Sequence, residues 1–341
     1  MTLPTARLGT TDMHITRVGF GAWATGGGGW RFGWGDQDDR ESIDAIRYAV
    51  DSGINWIDTA PVYGLGRSEE VVGRALRDLP ESDRPYVFTK CGLLFDRDRP
   101  DAPPRNVLAP ASIRREVDDS LRRLGVERID LYQVHWPPHD GTTLAEYWAA
   151  MQQLKAAGKV RAVGLSNHDA DALAAAEAIG HVDSLQPPFS LISRDVAAEL
   201  LPRCATHGTG VIAYSPMQSG LLTGRMTAER VAALPADDWR AGHPDFTGDA
   251  LRRNLDLARA LEPVAARHGV RVPAVAVAWT LAWPQVTGAI VGARSRAQVS
   301  GWLPAAGLRL TDEDLAEIAA AVRRTGAGSG PDRPARSVPV G

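Results

Sequence analysis

Four side chains suited to acid–base chemistry stand at or just beyond the ends of short apolar runs. Asp58 closes the run 54–58, Lys90 the run 86–90 and His135 the run 129–135, while Tyr63 follows in the loop Asp58-Thr59-Ala60-Pro61-Val62-Tyr63-Gly64. If these runs are neighbouring parallel strands, their C-terminal ends share one side of the sheet and the four groups ring one mouth. There a lysine beside a carboxylate forms a buried pair. A nearby ammonium favours the phenolate form, so the arrangement predicts a Tyr63 pKa drawn down from about 10 toward neutral pH. Such a tyrosine is a general acid, and His135 can donate a hydrogen bond that orients a carbonyl. Lysine is otherwise rare: Lys90, Lys155 and Lys159 are the three among 38 basic residues. Arginine keeps its proton while lysine is tuned by its surroundings, which singles out Lys90.

The elements that must position these groups follow one rhythm. Apolar runs at 18–21, 54–58, 86–90, 129–135, 160–166, 182–186, 211–214 and 288–291 read as strands. Amphipathic stretches at 39–53, 68–78, 110–124, 143–157, 169–179, 195–207, 250–268, 273–282 and 296–305 read as helices. Continuous rather than alternating apolar strands suit a parallel sheet buried on both faces. Eight such units predict a closed (β/α)8 TIM barrel spanning 1–324, with a doubly wound sheet as the alternative. Segments 7–9 and 14–16 predict a small N-terminal hairpin plugging the barrel bottom. The Gly-, Pro- and Ser-rich stretch 325–341 reads as a flexible tail. The long loops 22–38, 91–109 and 215–248 all follow strands, on the face where barrel enzymes keep their active sites.

Composition narrows the function classes. A net charge of −3 argues against a nucleic-acid or anionic-membrane binder. With 44% hydrophobic and 23% charged residues the chain can bury a large core. No run approaches the ~18 apolar residues of a membrane span. The first residues lack a basic and apolar leader, so a cytoplasmic location is expected. Cys91 and Cys204 are too few for a disulfide framework and read as packing residues. Gly19-Phe20-Gly21-Ala22-Trp23-Ala24 matches a G-x-G-x-x-A dinucleotide pattern, but it runs into glycines rather than a helix. His135 and His139 are separated by Pro137 and Pro138 and cannot share a helix face as metal ligands, so no metal is expected.

Five separated motifs carry a resemblance. They are Gly53-Ile54-Asn55-Trp56-Ile57-Asp58-Thr59-Ala60 with Tyr63-Gly64; Val87-Phe88-Thr89-Lys90; Asp130-Leu131-Tyr132-Gln133-Val134-His135-Trp136-Pro137; Gly158-Lys159-Val160-Arg161 with Gly164-Leu165-Ser166-Asn167; and Tyr214-Ser215-Pro216 with Gly220-Leu221-Leu222-Thr223-Gly224. In these the chain resembles the aldo-keto reductases, over residues 8–322, and looks most like their soluble bacterial NADPH-dependent branch.

The resemblance implies a nicotinamide cofactor extended across the barrel mouth, hydride transfer to or from a small carbonyl or alcohol, and the tetrad Asp58, Tyr63, Lys90 and His135, with Tyr63 as general acid or base. It implies that Ser166, Asn167 and Gln186 hold the carboxamide and that Tyr214 stacks on the nicotinamide. Ser215, Pro216, Met217, Ser219, Gly220, Leu222 and Gly224 would wrap the pyrophosphate. Gly292, Ala293, Arg294 and Gln298 would meet the phosphate end, and Gly21, Ala22 and Trp23 the nicotinamide end alongside Asp58. Arg294 as a 2′-phosphate ligand favours NADP(H) over NAD(H). Trp23, Trp30, Trp34 and Trp136 are the candidate substrate walls, the loop tryptophans serving equally well as loop packing. Val291, Trp302 and Met217 depart from the family pattern toward the adenine end. A monomeric enzyme is expected; the alternative is a cofactor-binding regulatory protein on the same barrel, resembling channel β-subunits.

Overall fold

The computed structural model describes residues 2–235 and 238–334. Its strands are β1 (Thr5–Arg7), β2 (His14–Thr16), β3 (Val18–Gly21), β4 (Trp56–Asp58), β5 (Tyr86–Cys91), β6 (Leu93–Leu94), β7 (Arg105–Asn106), β8 (Ile129–Val134), β9 (Val160–Ser166), β10 (Ser184–Gln186), β11 (Gly210–Ala213) and β12 (Val286–Gly292). Eight of them close a parallel barrel in the order β3-β4-β5-β8-β9-β10-β11-β12, with β12 returning to β3. The doubly wound alternative is thereby excluded. Most strand residues are buried on both sides, which is why the runs are continuously apolar.

The barrel interior is layered. Trp56, Phe88, Leu131, Ala162, Ile212 and Ile290 fill it from the strands, and Leu8, Met13 and Ile15 enter from the β1–β2 hairpin below. Trp56 dictates two glycines: a Cβ at Gly19 would lie 2.2 Å from its ring, and one at Gly288 2.9 Å away. Truncating such a buried tryptophan costs about 3–5 kcal/mol. Strand pleat then lifts alternate residues one layer at a time, from Phe88 to Lys90 on β5 and from Leu131 to Gln133 on β8. Register aligns those layers, with Lys90 opposite Gln133 and Asp58 opposite both Gly21 and Phe88. Apolar filling below and polar groups at the mouth follow from these pairings.

Around the barrel lie α1 (Asp39–Asp51), α2 (Arg67–Leu76), α3 (Pro110–Leu124), α4 (Leu144–Ala156), α5 (Ala170–Glu177), α6 (Leu200–His207), α7 (Ala228–Ala232), α8 (Gly248–Ala260), α9 (Glu262–Arg267), α10 (Val272–Leu281), α11 (Arg296–Trp302) and α12 (Asp312–Thr325). Caps set several starts. Asp38 accepts from the amides of Arg40 and Glu41, and Thr143 forms a capping box with Glu146. The stretch 250–268 is two helices, α8 and α9, because Pro263 has no amide to continue the ladder. The stretch 195–207 likewise divides into a 3-10 turn and α6.

Helix α12 was absent from the sequence reading, although Thr311 and Asp314 form its capping box and Gly326 ends it with a positive φ of 64°. Part of the stretch expected to be a flexible tail makes contacts with the barrel. Residues 325–334 dock on the 192–195 segment, where Arg194 donates to the carbonyls of Ala327 (3.1 Å) and Gly330 (3.2 Å) and Ser329 bonds Asp195 at 2.7 Å. The remainder of that stretch, 335–341, lies outside the described residues. No described helix is long and apolar enough to cross a membrane.

Candidate active site

Asp58 and Lys90 meet inside the barrel at the C-terminal mouth. The Lys90 ammonium donates to Asp58 Oδ1 at 2.6 Å and to the Thr59 carbonyl at 2.9 Å, with both side chains essentially inaccessible. It also lies 3.4 Å from the Tyr63 hydroxyl. The other carboxylate oxygen, Asp58 Oδ2, accepts from Gln186 at 2.9 Å and from Gln133 at 3.4 Å. The turn after β4 delivers Tyr63: its amide bonds the Ala60 carbonyl, and Gly64 packs so tightly on Gly26 that a Cβ would approach the Gly26 carbonyl to 2.2 Å. His135 follows β8 directly, its amide held by the Cys91 carbonyl at 3.0 Å. Its ring meets the Tyr63 ring edge-on at 5.7 Å. The four groups expected to converge do so.

The electrostatics run opposite to the sequence expectation for Tyr63. Its pKa is pushed well above the ordinary 10.0, first by burial and then by the Asp58 charge. The ammonium expected to lower it already faces Asp58 at close range, so desolvation prevails. Burial, followed by the nearby Lys90 charge, holds the His135 imidazole well below 6.5. Burial also lowers Lys90, against the opposing pull of Asp58. At neutral pH the site thus presents a protonated phenol and a neutral imidazole.

Above these groups opens a cleft of about 1230 Å³, larger than the roughly 300–1,000 Å³ of ordinary small-molecule sites. Of the residues expected to bind cofactor, Gly21, Ala22, Trp23, Asp58, Ser166, Asn167, Gln186, Tyr214, Ser215, Pro216, Met217, Ser219, Gly220, Gly224, Gly292, Arg294 and Gln298 line it. Leu222 and Ala293 do not; both are packed into the core. Ser166, Asn167 and Tyr214 hold one another: Tyr214 donates to Asn167 Oδ1 at 2.7 Å, and Asn167 donates to Ser166 Oγ at 3.1 Å and to the His135 carbonyl at 2.9 Å. Backbone strain gathers nearby, with positive φ at Asn167, Ser215, Gln218 and Ser219. Such conformations collect at ligand sites. Gly301 at the far end of the cleft would admit a Cβ with no contact closer than Arg271 at 3.8 Å, so backbone there is open to a ligand.

Arg294 departs from its expected role. Its guanidinium donates to Gln37 Oε1 at 2.6 Å, to the Trp34 carbonyl at 3.1 Å and to the Asp36 carbonyl, all in the loop after β3. The expected aromatic walls are present. Trp23 lies between Tyr63 (5.9 Å) and Trp239 (6.2 Å), nearly parallel to both, with Trp34 at 5.7 Å. Trp30 is buried against Phe32, and Trp136 is 43% exposed at the rim. Trp30 therefore both packs its loop and lines the cleft. Sequence reasoning missed Gln133, whose signal was a polar residue on the inward face of β8 two positions before His135. It also missed the cleft residues Arg225, Arg230 and Arg271, which lie in segments without a strand-end signature.

Comparison with known proteins shows the family. A model of the aldo/keto reductase family matches residues 17–323. The chain belongs to the aldo/keto reductase family. This aldo/keto reductase is 38% identical over 329 residues to the NADH-specific methylglyoxal reductase of Escherichia coli (strain K12), covering 93% of this chain and 98% of that protein. It is 35% identical over 309 residues to an aldo-keto reductase of Bacillus subtilis (strain 168), covering 90% of each. Among solved structures it matches the glycerol dehydrogenase of Gluconobacter oxydans with a TM-score of 0.85 and 39% identity, over 96% of this chain and 97% of that one. Membership makes it an oxidoreductase of carbonyl compounds within a family that uses nicotinamide cofactors.

Proposed function

We propose that this aldo/keto reductase reduces a small aldehyde or ketone, with Tyr63 as the proton donor. The observation that carries this reading is the convergence of the Tyr63 hydroxyl, the Lys90–Asp58 pair and His135 beneath one large cleft. The cleft fits a nicotinamide dinucleotide, with strand-end polar groups near Tyr63, bare glycine backbone along its length and arginines farther out. When bound, that group supplies hydride to the carbonyl carbon. The chain's own residues manage the proton. Tyr63 donates it to the carbonyl oxygen, and the Lys90 ammonium at 3.4 Å stabilises the phenolate left behind. Asp58 and the Thr59 carbonyl fix Lys90, while Gln186 and Gln133 fix Asp58. Neutral His135 donates a hydrogen bond that orients the carbonyl. Trp23 and Trp34 shield the reacting groups from water.

The cofactor reading is less selective than the sequence suggested. Preference for NADP(H) rested on Arg294, and that guanidinium is turned toward Trp34, Asp36 and Gln37. A relative bears the name NADH-specific. Both considerations point away from Arg294 as the source of an NADP(H) preference. The test is oxidation of NADH and NADPH, followed by absorbance, against a panel of small aldehydes and ketones. Turnover with at least one carbonyl is expected. Tight cofactor binding with no turnover across the panel would overturn the reading in favour of a binding protein.

A further inference from the structure

We propose that Arg294 is a positioning residue that latches the loop after β3 over the cleft, and that it does not select between the two nicotinamide dinucleotides. The inference rests on the reductase reading above for its functional consequence, but its geometry stands independently. Arg294 and Gln37 form a reciprocal pair. The guanidinium Nε donates to Gln37 Oε1 at 2.6 Å, and Gln37 Nε2 donates to the Arg294 carbonyl at 3.0 Å. Gln37 is 7% exposed, so its amide is shielded from competing water. Two further N–H groups, one on each terminal nitrogen, donate to the carbonyls of Trp34 and Asp36. One N–H of every guanidinium nitrogen is thus committed to Gln37 or to backbone, which holds the group against the loop and leaves two of its five N–H groups for any other partner. The Arg294 amide is capped in turn by Gln298 at 2.8 Å, fixing where the latch starts.

What the latch holds is the Trp34 wall. Arg240, itself paired to Asp238 at 2.6 Å, stacks over the Trp34 ring at 4.8 Å from the other long loop. Trp34 is therefore gripped through its backbone by the end of β12 and through its ring by the 215–248 loop. Its neighbour Trp23 lies on Tyr63. Releasing Arg294 frees Trp34 without disturbing the Tyr63–Lys90–Asp58 contacts, so the consequence falls on carbonyl binding rather than on the chemical step.

The experiment compares Arg294→Ala, Gln37→Ala and the double variant. Amide hydrogen exchange across 30–38, in cofactor-free protein, should rise about tenfold in each single variant, as expected when one or two buried hydrogen bonds are lost. The double variant should fall short of the two single effects combined, because both singles remove the contact between Arg294 Nε and Gln37 Oε1. Dissociation constants for NADH and NADPH, read from tryptophan fluorescence, should shift by one common factor. The carbonyl KM should rise while kcat stays within about twofold. Loss confined to NADPH in Arg294→Ala, with Gln37→Ala behaving as wild type, would overturn the latch and restore a phosphate ligand. Should wild type bind neither dinucleotide, the reductase reading fails, while the exchange result still decides the latch.

Discussion

Strand β5 carries buried polar clusters on both of its faces, and they have different fates. Inward, Lys90 joins Asp58, Tyr63, Gln133 and Gln186 beneath the cleft. Outward, Thr89 donates to Glu69 Oε1 at 2.6 Å, Arg123 donates to Glu69 Oε2 at 2.6 Å, and Glu116 accepts from the Gly92 amide at 2.8 Å and the Ser112 hydroxyl at 3.1 Å. Each cluster contains a buried carboxylate facing a cation. In the outer one both oxygens of both glutamates are occupied; Glu69 is fully enclosed, while Glu116 and Arg123 border a smaller pocket of about 460 Å³. In the inner one the Tyr63 hydroxyl and the His135 ring stand beneath open space. A buried ion pair alone therefore says little about catalysis; what distinguishes the inner cluster is a phenol and an imidazole converging beside the ion pair beneath the large cleft.

Substitutions should separate the two. Lys90→Met should lower kcat by about three orders of magnitude, within the range typical of losing a positioned acid–base partner, in steady-state assays of folded protein. A loss below tenfold would break the contrast from the inner side. Arg123→Met leaves the buried Glu69 carboxylate without its cation and should destabilise the fold by about 3–5 kcal/mol in urea unfolding. Its kcat should stay near wild type, and a large fall would give the outer cluster a catalytic share.

Glu116 gives a smaller, pH-dependent effect. Burial raises its pKa from the ordinary 4.5 to about 7, so the native state binds its proton more tightly than the unfolded chain does. Its contribution to stability is complete below the unfolded value and is lost as pH rises through about 7. Glu116→Gln keeps the shape without the titration and should stabilise the protein by about 1–3 kcal/mol at pH 8, with little change at pH 4. Equal effects at both pH values would refute the burial argument. The subtlest test is the pH profile of reduction. With Tyr63 held above 10.0 and His135 below 6.5, kcat/KM for the carbonyl should be flat between those values. A rate falling through neutral pH would restore the lowered tyrosine of the sequence reading.

Much of this was legible in the sequence because barrels concentrate chemistry at strand ends. Asp58, Lys90 and His135 announce themselves as ionisable residues closing apolar runs, and the parallel topology then brings them together. Three kinds of information were hidden. The Tyr63 shift comes first from burial, with the Asp58 charge adding to it, and spacing does not report depth of burial. Arg294 looked like a phosphate ligand because its partners, Trp34 and Gln37, lie 260 and 257 positions away and in a loop. The docked stretch 325–334 reads as a flexible tail by composition, yet its glycines serve close approach, a Cβ at Gly328 meeting the Ile192 carbonyl at 1.8 Å.

The most direct test of the central claim is Tyr63→Phe, measured for turnover and for cofactor binding on the same preparation. The inner cluster predicts turnover lost by at least the margin of Lys90→Met, with NADH and NADPH bound as in wild type. Turnover retained within tenfold of wild type would show that another group donates the proton.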